Sequence, residues 1–293
     1  MCLLLSNFSR MPRKKINKPN NRPRSKRETN NKTNMIINSR LKIKKIIAIF
    51  DAHVPHNLDL KGFIEFLRDE QPNHLILGGD FLDIHSLNSW DKVGGRGLKL
   101  EGARFLKEMD AGNDMLDRIQ AVLPKKCKIV YLEGNHEDRT SRYEEKNPES
   151  EGMYNIPDHL NLDARGIQWI PLKSRNNFYS FKTKDGPLLF THGVEGRGKY
   201  HANKILDGFN CNVRYGDRHT EQTVTRPVKN SISPKIQAKC VPAMCSEQGY
   251  MGGRPDAWRR GFYMAYILPD GHFYEYVIQV VNGKFVFNNK IYS

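Results

Sequence analysis

The chain has 293 residues and a hydrophobic fraction of 38%, enough for one substantial core, with a formal net charge of +15. No apolar run approaches the ~18–20 residues of a membrane span, and the opening Leu3-Leu4-Leu5 is too short for a signal-peptide core, one that a start at Met11 would remove. Five scattered cysteines without a C-x-x-C pair argue against a disulfide framework or a cysteine zinc knuckle and imply a reducing cytoplasm.

The basicity sits at the front. Residues 1–45 hold 14 of the 47 Lys and Arg and one acid, Glu28, which leaves 33 basic and 31 acidic side chains for the rest. Residues 10–34 are so poor in hydrophobes that they cannot bury enough surface to offset their ordering entropy. The expectation is a disordered basic tail over 1–44 and a single domain over 45–293. Such a tail is either a tether for nucleic acid through residues 10–45, acting by counterion release, or a solubilising segment. No aromatic residue is interleaved to stack on bases.

From residue 46 strands and helices alternate. Ile46-Ile47-Ala48-Ile49-Phe50 is a continuous apolar run, as expected of a strand buried on both faces. An amphipathic helix follows over 58–70, with Leu60, Phe63, Ile64 and Leu67 on one face. The pattern continues with a strand at 74–77, a helix within 99–122 and a strand at 128–132. Residues 177–192 read as a hairpin turning at Asp185-Gly186, followed by a helix near 197–208 and a strand at 211–215. The end is β-rich, with strands at 261–268, 273–281 and 284–287. The predicted architecture is α/β with an antiparallel C-terminal part.

Residues able to bind metals fall just beyond these strands: Asp51-Ala52-His53, Gly78-Gly79-Asp80, Gly134-Asn135-His136-Glu137, Thr191-His192-Gly193 and Gly216-Asp217-Arg218-His219. In open α/β sheets ligands bind beyond the carboxyl ends of strands, so five such ends imply one convergent site. Asp, His and Asn offer oxygen and imidazole donors suited to Mn, Fe, Zn or Ni, without thiolates. Each motif alone is weak. All five in order, each after an apolar strand, point to a metal site.

This order of motifs resembles the calcineurin-like metallophosphoesterases, whose pattern is D-x-H, G-D, G-N-H-D/E, His-Gly and G-H-x-H; the likeness covers roughly residues 45–222. It implies a sandwich of two β-sheets flanked by helices, and a hydrolase that uses two divalent metal ions on phosphate esters. By the resemblance Asp51, His53 and His219 hold one metal, Asn135 and His192 the other, and Asp80 bridges them. His136 would stand by the departing oxygen as proton donor or charge stabiliser. The sequence departs from the pattern at Asp217, where the family has histidine. As a ligand of the second metal, a carboxylate there would favour Mn²⁺ or Mg²⁺ over Zn²⁺ and diesters over monoesters; the alternative is that it points away. Residues 253–262 and the following hairpin resemble bacteriophage versions of the family, which implies a phage or prophage origin and a bacterial host cytoplasm.

Other positions admit two readings. Arg139 is a phosphate clamp or a partner of Glu137 or Asp138. His56 and His85 contact substrate or are ordinary loop histidines. His201 and Lys199 are explained by packing. Trp258 with Arg259 and Arg260 stacks on a nucleotide or belongs to the core. The expected substrate is a phosphodiester, nucleic acid included. The alternatives are a phosphatase acting on small molecules or proteins, and a nucleic-acid-binding protein with a vestigial site.

Overall fold

Alternation along the strands decides the layering. On β1 (Lys44–Ile49), Ile47 and Ile49 pack with one group of buried residues, while Ile46, Ala48 and the following Phe50 pack with another. Every second side chain thus points to an opposite face, and both faces are covered. The computed structural model describes residues 43–88, 104–228, 235–246 and 258–293, so the tail expected over 1–44 lies outside the described residues but for its last two. The described residues make one compact unit.

Of the described strands, six form one sheet and five a second. In the first, β1, β2 (His74–Leu77), β3 (Lys128–Leu132) and β4 (Ile167–Ile170) are parallel. β10 (Gly261–Ile267) and β11 (Phe273–Gln279) join antiparallel at the β1 side. The second sheet has β6 (Leu188–Thr191), β7 (Asn212–Tyr215) and β9 (Lys235–Cys240) parallel, edged by antiparallel β5 (Phe178–Phe181) and β8 (Gln222–Pro227). Between the sheets lie Ile46, Ala48, Phe50, Ile76, Val130 and Leu132 from one side and Phe181, Leu188 and Phe190 from the other.

Helices cover the outer faces. α1 (Lys61–Glu70) and α2 (Phe105–Gln120) pack with Ile47, Leu75 and Leu77. On α1, Phe66 is fully buried among the rings of Phe262, Phe285, Phe287 and Tyr292. The last three rings belong to the hairpin of β12 (Phe285–Phe287) and β13 (Lys290–Tyr292). Between β3 and β4 lie α3 (Arg139–Lys146) and the single turn α4 (Ile156–His159). α5 (His201–Phe209) places Ala202, Ile205 and Leu206 against Val213 and Tyr215 of the second sheet. The architecture is α/β: two sheets face to face, flanked by helices. Among the described residues no helix is long and apolar enough to cross a membrane.

Candidate metal centre

The carboxyl ends of both sheets meet at one place. The loop after β1 carries Asp51 and His53, the loop after β2 carries Asp80, and that after β3 carries Asn135 and His136. The second sheet contributes His192 after β6 and Asp217 and His219 after β7. The loops are zipped to one another: Asp51 N–H donates to the Gly79 carbonyl (3.1 Å), His53 N–H to that of Asp80 (2.9 Å) and Gly216 N–H to that of His192 (3.0 Å). Asp51, His53, Asp80, Asp217 and His219 all have φ between 48° and 63°. Non-glycine residues adopt that region at a cost, and such strain gathers where geometry matters more than stability.

The donors fall into two sets. In the first, His53 Nε2 lies 3.3 Å from His219 Nε2 and 3.9 Å from Asp80 Oδ2, and His219 Nε2 is 3.5 Å from Asp51 Oδ1. In the second, His192 Nε2 lies 3.2 Å from Asn135 Oδ1, 3.3 Å from Asp80 Oδ1 and 3.8 Å from Asp217 Oδ1. Asp80 belongs to both, one oxygen in each. Asp51, Asp80 and His192 are nearly fully buried.

Ring tautomers test whether cations fit. His192 Nδ1 faces the Gly78 carbonyl at 3.1 Å and must donate to it, which leaves the Nε2 lone pair aimed at three oxygens. His53 Nδ1 faces Asp83 Oδ1 at 3.2 Å, so its Nε2 lone pair confronts the other imidazole. Acceptors this close need a cation or an extra proton between them. Burial disfavours charge on His192, but Asp80, Asp51 and Asp217 outweigh it and raise its pKa well above the usual histidine range. Burial likewise works to raise Asp51 and Asp80, yet His219 holds the first below its ordinary value, and His192, His136 and His53 hold the second well below. Proton and cation therefore compete for the imidazole lone pair of His192, and metal uptake should release protons. The donor set fits divalent metals.

Two supporting residues were not singled out in the sequence. Glu137, fully buried, accepts from the amides of Asp80 (2.9 Å), Leu82 (2.8 Å) and Gly134 (3.0 Å) and from the Tyr131 hydroxyl (2.7 Å). Burial, then the Asp80 carboxylate, push its pKa up to about 7. It holds the β2 and β3 loops together, and the only signal was the last letter of G-N-H-E. Asp83 accepts from His136 Nδ1 at 2.8 Å as well as from His53. Burial opposes its charge, but these two histidines keep it far below the usual carboxylate range. Its signal was a carboxylate three residues after Asp80. One residue thus fixes the Nδ1 proton on two rings, as carboxylates behind metal-binding histidines do.

His136 stands at the edge of the shared carboxylate, with Nε2 3.8 Å from Asp80 Oδ2. Arg139 is half-buried; its guanidinium donates to the Asp83 carbonyl (2.7 Å) and to His136 Nε2 (3.0 Å). It is Arg142 that pairs with Asp138, at 2.9 Å. Asp217 points inward, and its second carboxylate oxygen pairs with Arg218. His56 and His85 lie 3.7 and 4.0 Å from Asp83, on the rim. His201 is a packing residue, bonded to the Tyr215 hydroxyl at 2.6 Å. Trp258 is not in the core: it is half-buried, its ring edge-on to His219 at 4.1 Å.

No family model matches the chain. The Gene 54 protein of Mycobacterium phage L5 is 24% identical over 269 residues, covering 85% of this chain and 99% of that protein. The Gene 54 protein of Mycobacterium phage D29 is equally similar. Among solved structures, Vps29 complexed with Zn²⁺ from Entamoeba histolytica gives a TM-score of 0.42 at 12% identity, covering 83% of this chain and 96% of that one. A metallophosphoesterase from Sphaerobacter thermophilus gives 0.34 at 12% identity, covering 82% and 89%.

Proposed function

We propose that the chain is a phosphoesterase dependent on two divalent cations and acting on phosphodiesters. The observation that carries this reading is the pair of donor sets sharing Asp80. Asp51, His53, His219 and Asp80 would hold one cation; Asn135, His192, Asp217 and Asp80 the other. When bound, two such ions give a water acidic enough to act as nucleophile at neutral pH and offset the charge of the phosphate. Manganese is the expected ion, because four of the seven donor residues offer oxygen, with Fe, Zn, Ni and Mg as alternatives.

The protein's own groups supply the rest. Asp83 fixes the tautomers of His53 and His136 so that both Nε2 atoms face the centre. Glu137 sets the position of the Asp80 backbone. His136, with the Arg139 guanidinium bonded to it, brings a fixed positive charge beside the shared carboxylate. There it can stabilise the negative charge that gathers on a leaving oxygen.

Bis-p-nitrophenyl phosphate and p-nitrophenyl phosphate, each assayed after chelation and after addition of Mn²⁺, test the reading. The expected result is diester hydrolysis abolished by chelation, restored by Mn²⁺ and faster than monoester hydrolysis. Faster monoester turnover would make the protein a phosphatase instead. No turnover of either ester with Mn²⁺, Fe²⁺, Ni²⁺, Zn²⁺ or Mg²⁺ would refute the enzyme reading.

A further inference from the structure

Two hollows lie beside residues of the centre, one walled in part by Asn135 and one by Trp258. The first, about 240 Å³, includes Asn135 of the second donor set among its walls and is otherwise formed largely by α3. Arg139, Arg142, Tyr143 and Lys146 lie at spacings of three, four and seven along that helix, so they share one face. The second, about 580 Å³, is walled by Trp258, Arg259 and Arg260 together with Leu58, Ser246 and residues 279–283. Trp258 is the ring that meets His219 of the first donor set, and Arg260 lies over it at 5.3 Å.

The walls of the two hollows include five basic side chains and, among the described residues, no carboxylate. The domain that carries them is otherwise almost neutral. Each hollow also presents one half-buried aromatic ring, Tyr143 or Trp258. Basic groups that follow a backbone, with rings for the bases to stack on, make up the chemistry of single-strand recognition. A small phosphate ester would need neither hollow to be basic and aromatic, let alone both.

We propose that the substrate is a single-stranded polynucleotide whose backbone crosses the centre, with one nucleotide seated against α3 and another against Trp258. This rests on the phosphodiesterase reading and narrows it: the cleaved bond is internal, flanked by phosphates that Lys146 meets on one side and Arg259 and Arg260 on the other.

The experiment uses the full chain loaded with Mn²⁺ and thymidine oligonucleotides of two, four and eight nucleotides. The expected kcat/KM rises about tenfold or more from dimer to octamer, as flanking phosphates and bases become bound, and falls steeply with salt for the octamer. The double variant Lys146→Ala/Arg259→Ala should flatten that rise. It should also weaken binding of a fluorescent octamer, read by anisotropy, about tenfold. Equal kcat/KM for dimer and octamer, or identical octamer binding by wild type and variant, overturns the polynucleotide proposal even where bis-p-nitrophenyl phosphate is cleaved. If that ester is not cleaved while octamer binding is lost in the variant, the enzyme reading has failed and the binding surface has not.

Discussion

At the scale of single residues, Asp217 carries the most specific expectation. Its carboxylate faces His192 and is paired on the other side with Arg218. The guanidinium offsets the charge that a carboxylate adds over imidazole, so charge alone gives a weak reason for diester preference; the basic hollows give a better one. The hardness of the donor is unaffected by that pairing. Asp217→His should therefore raise Zn²⁺ affinity relative to Mn²⁺ in competitive titration. Unchanged relative affinities would place Asp217 outside the coordination shell. His136→Ala should retain both metals and lose about 10²–10³-fold in turnover, the size typical of losing one charge-stabilising contact, because the Arg139 guanidinium loses its anchor beside the leaving oxygen. The loss should be smaller for p-nitrophenolate, which leaves unaided, than for an alkoxide; equal losses would count against the assignment. The motifs exposed the donors because each is a polar letter after an apolar strand. Asp83 and Glu137 were harder to see, because they act on other residues and no periodic pattern marks them.

Among elements, the clamp between the sheets is the most exposed to test. Arg214 on β7 is almost fully buried and bonds to Glu275 on β11 at 2.6 Å, where Lys239 of β9 and Tyr263 of β10 also converge at 2.7 Å. Burial works against charge on Glu275, but Arg214 and Lys239 keep its pKa below the ordinary value. Glu275→Ala leaves a buried guanidinium without its carboxylate and should cost about 3–5 kcal/mol in denaturant unfolding. A loss under ~1 kcal/mol, the scale of a surface pair, would show that the pair is solvated. His74, at the start of β2, packs edge-on to Phe181 of the second sheet at 4.9 Å. Burial, then Lys128 and Lys44, lower its pKa from 6.5 to about 4. Between those values the unfolded chain binds the proton and the folded chain does not, so stability declines as pH falls from 6.5 to 4. His74→Phe should make the decline shallower; identical slopes would exclude the histidine as its source. Strands such as β1 and β3 were legible because four or more apolar residues run together. β8 and β9 carry polar residues at every second position or more, and in β4 Gln168 interrupts the apolar residues, so none of the three shows a continuous run. α3 has a single buried residue, Thr140, and its shared face is basic instead of apolar, so the usual signal of a helix was missing.

For the whole molecule, the centre is where the two sheets are joined in function. One sheet supplies Asp51, His53, Asp80 and Asn135, the other His192, Asp217 and His219, and Asp80 is common to both donor sets. Layer order and the convergence of strand ends could be anticipated from chain order, since parallel strands joined by helices put their carboxyl ends on one side. The hollows could not, because their walls join separate segments: Leu87 and Asn88 with α3 in the first, Leu58 with Trp258 and residues 279–283 in the second. The most direct test of the shared centre is metal content, measured by elemental analysis after Mn²⁺ loading and gel filtration, for the wild type and Asp80→Asn. Bridging by Asp80 predicts two Mn²⁺ per wild-type chain, and loss of both metals and of turnover in the variant. A variant that kept two metals and a near-normal rate, or a wild type that bound fewer than two, would contradict it.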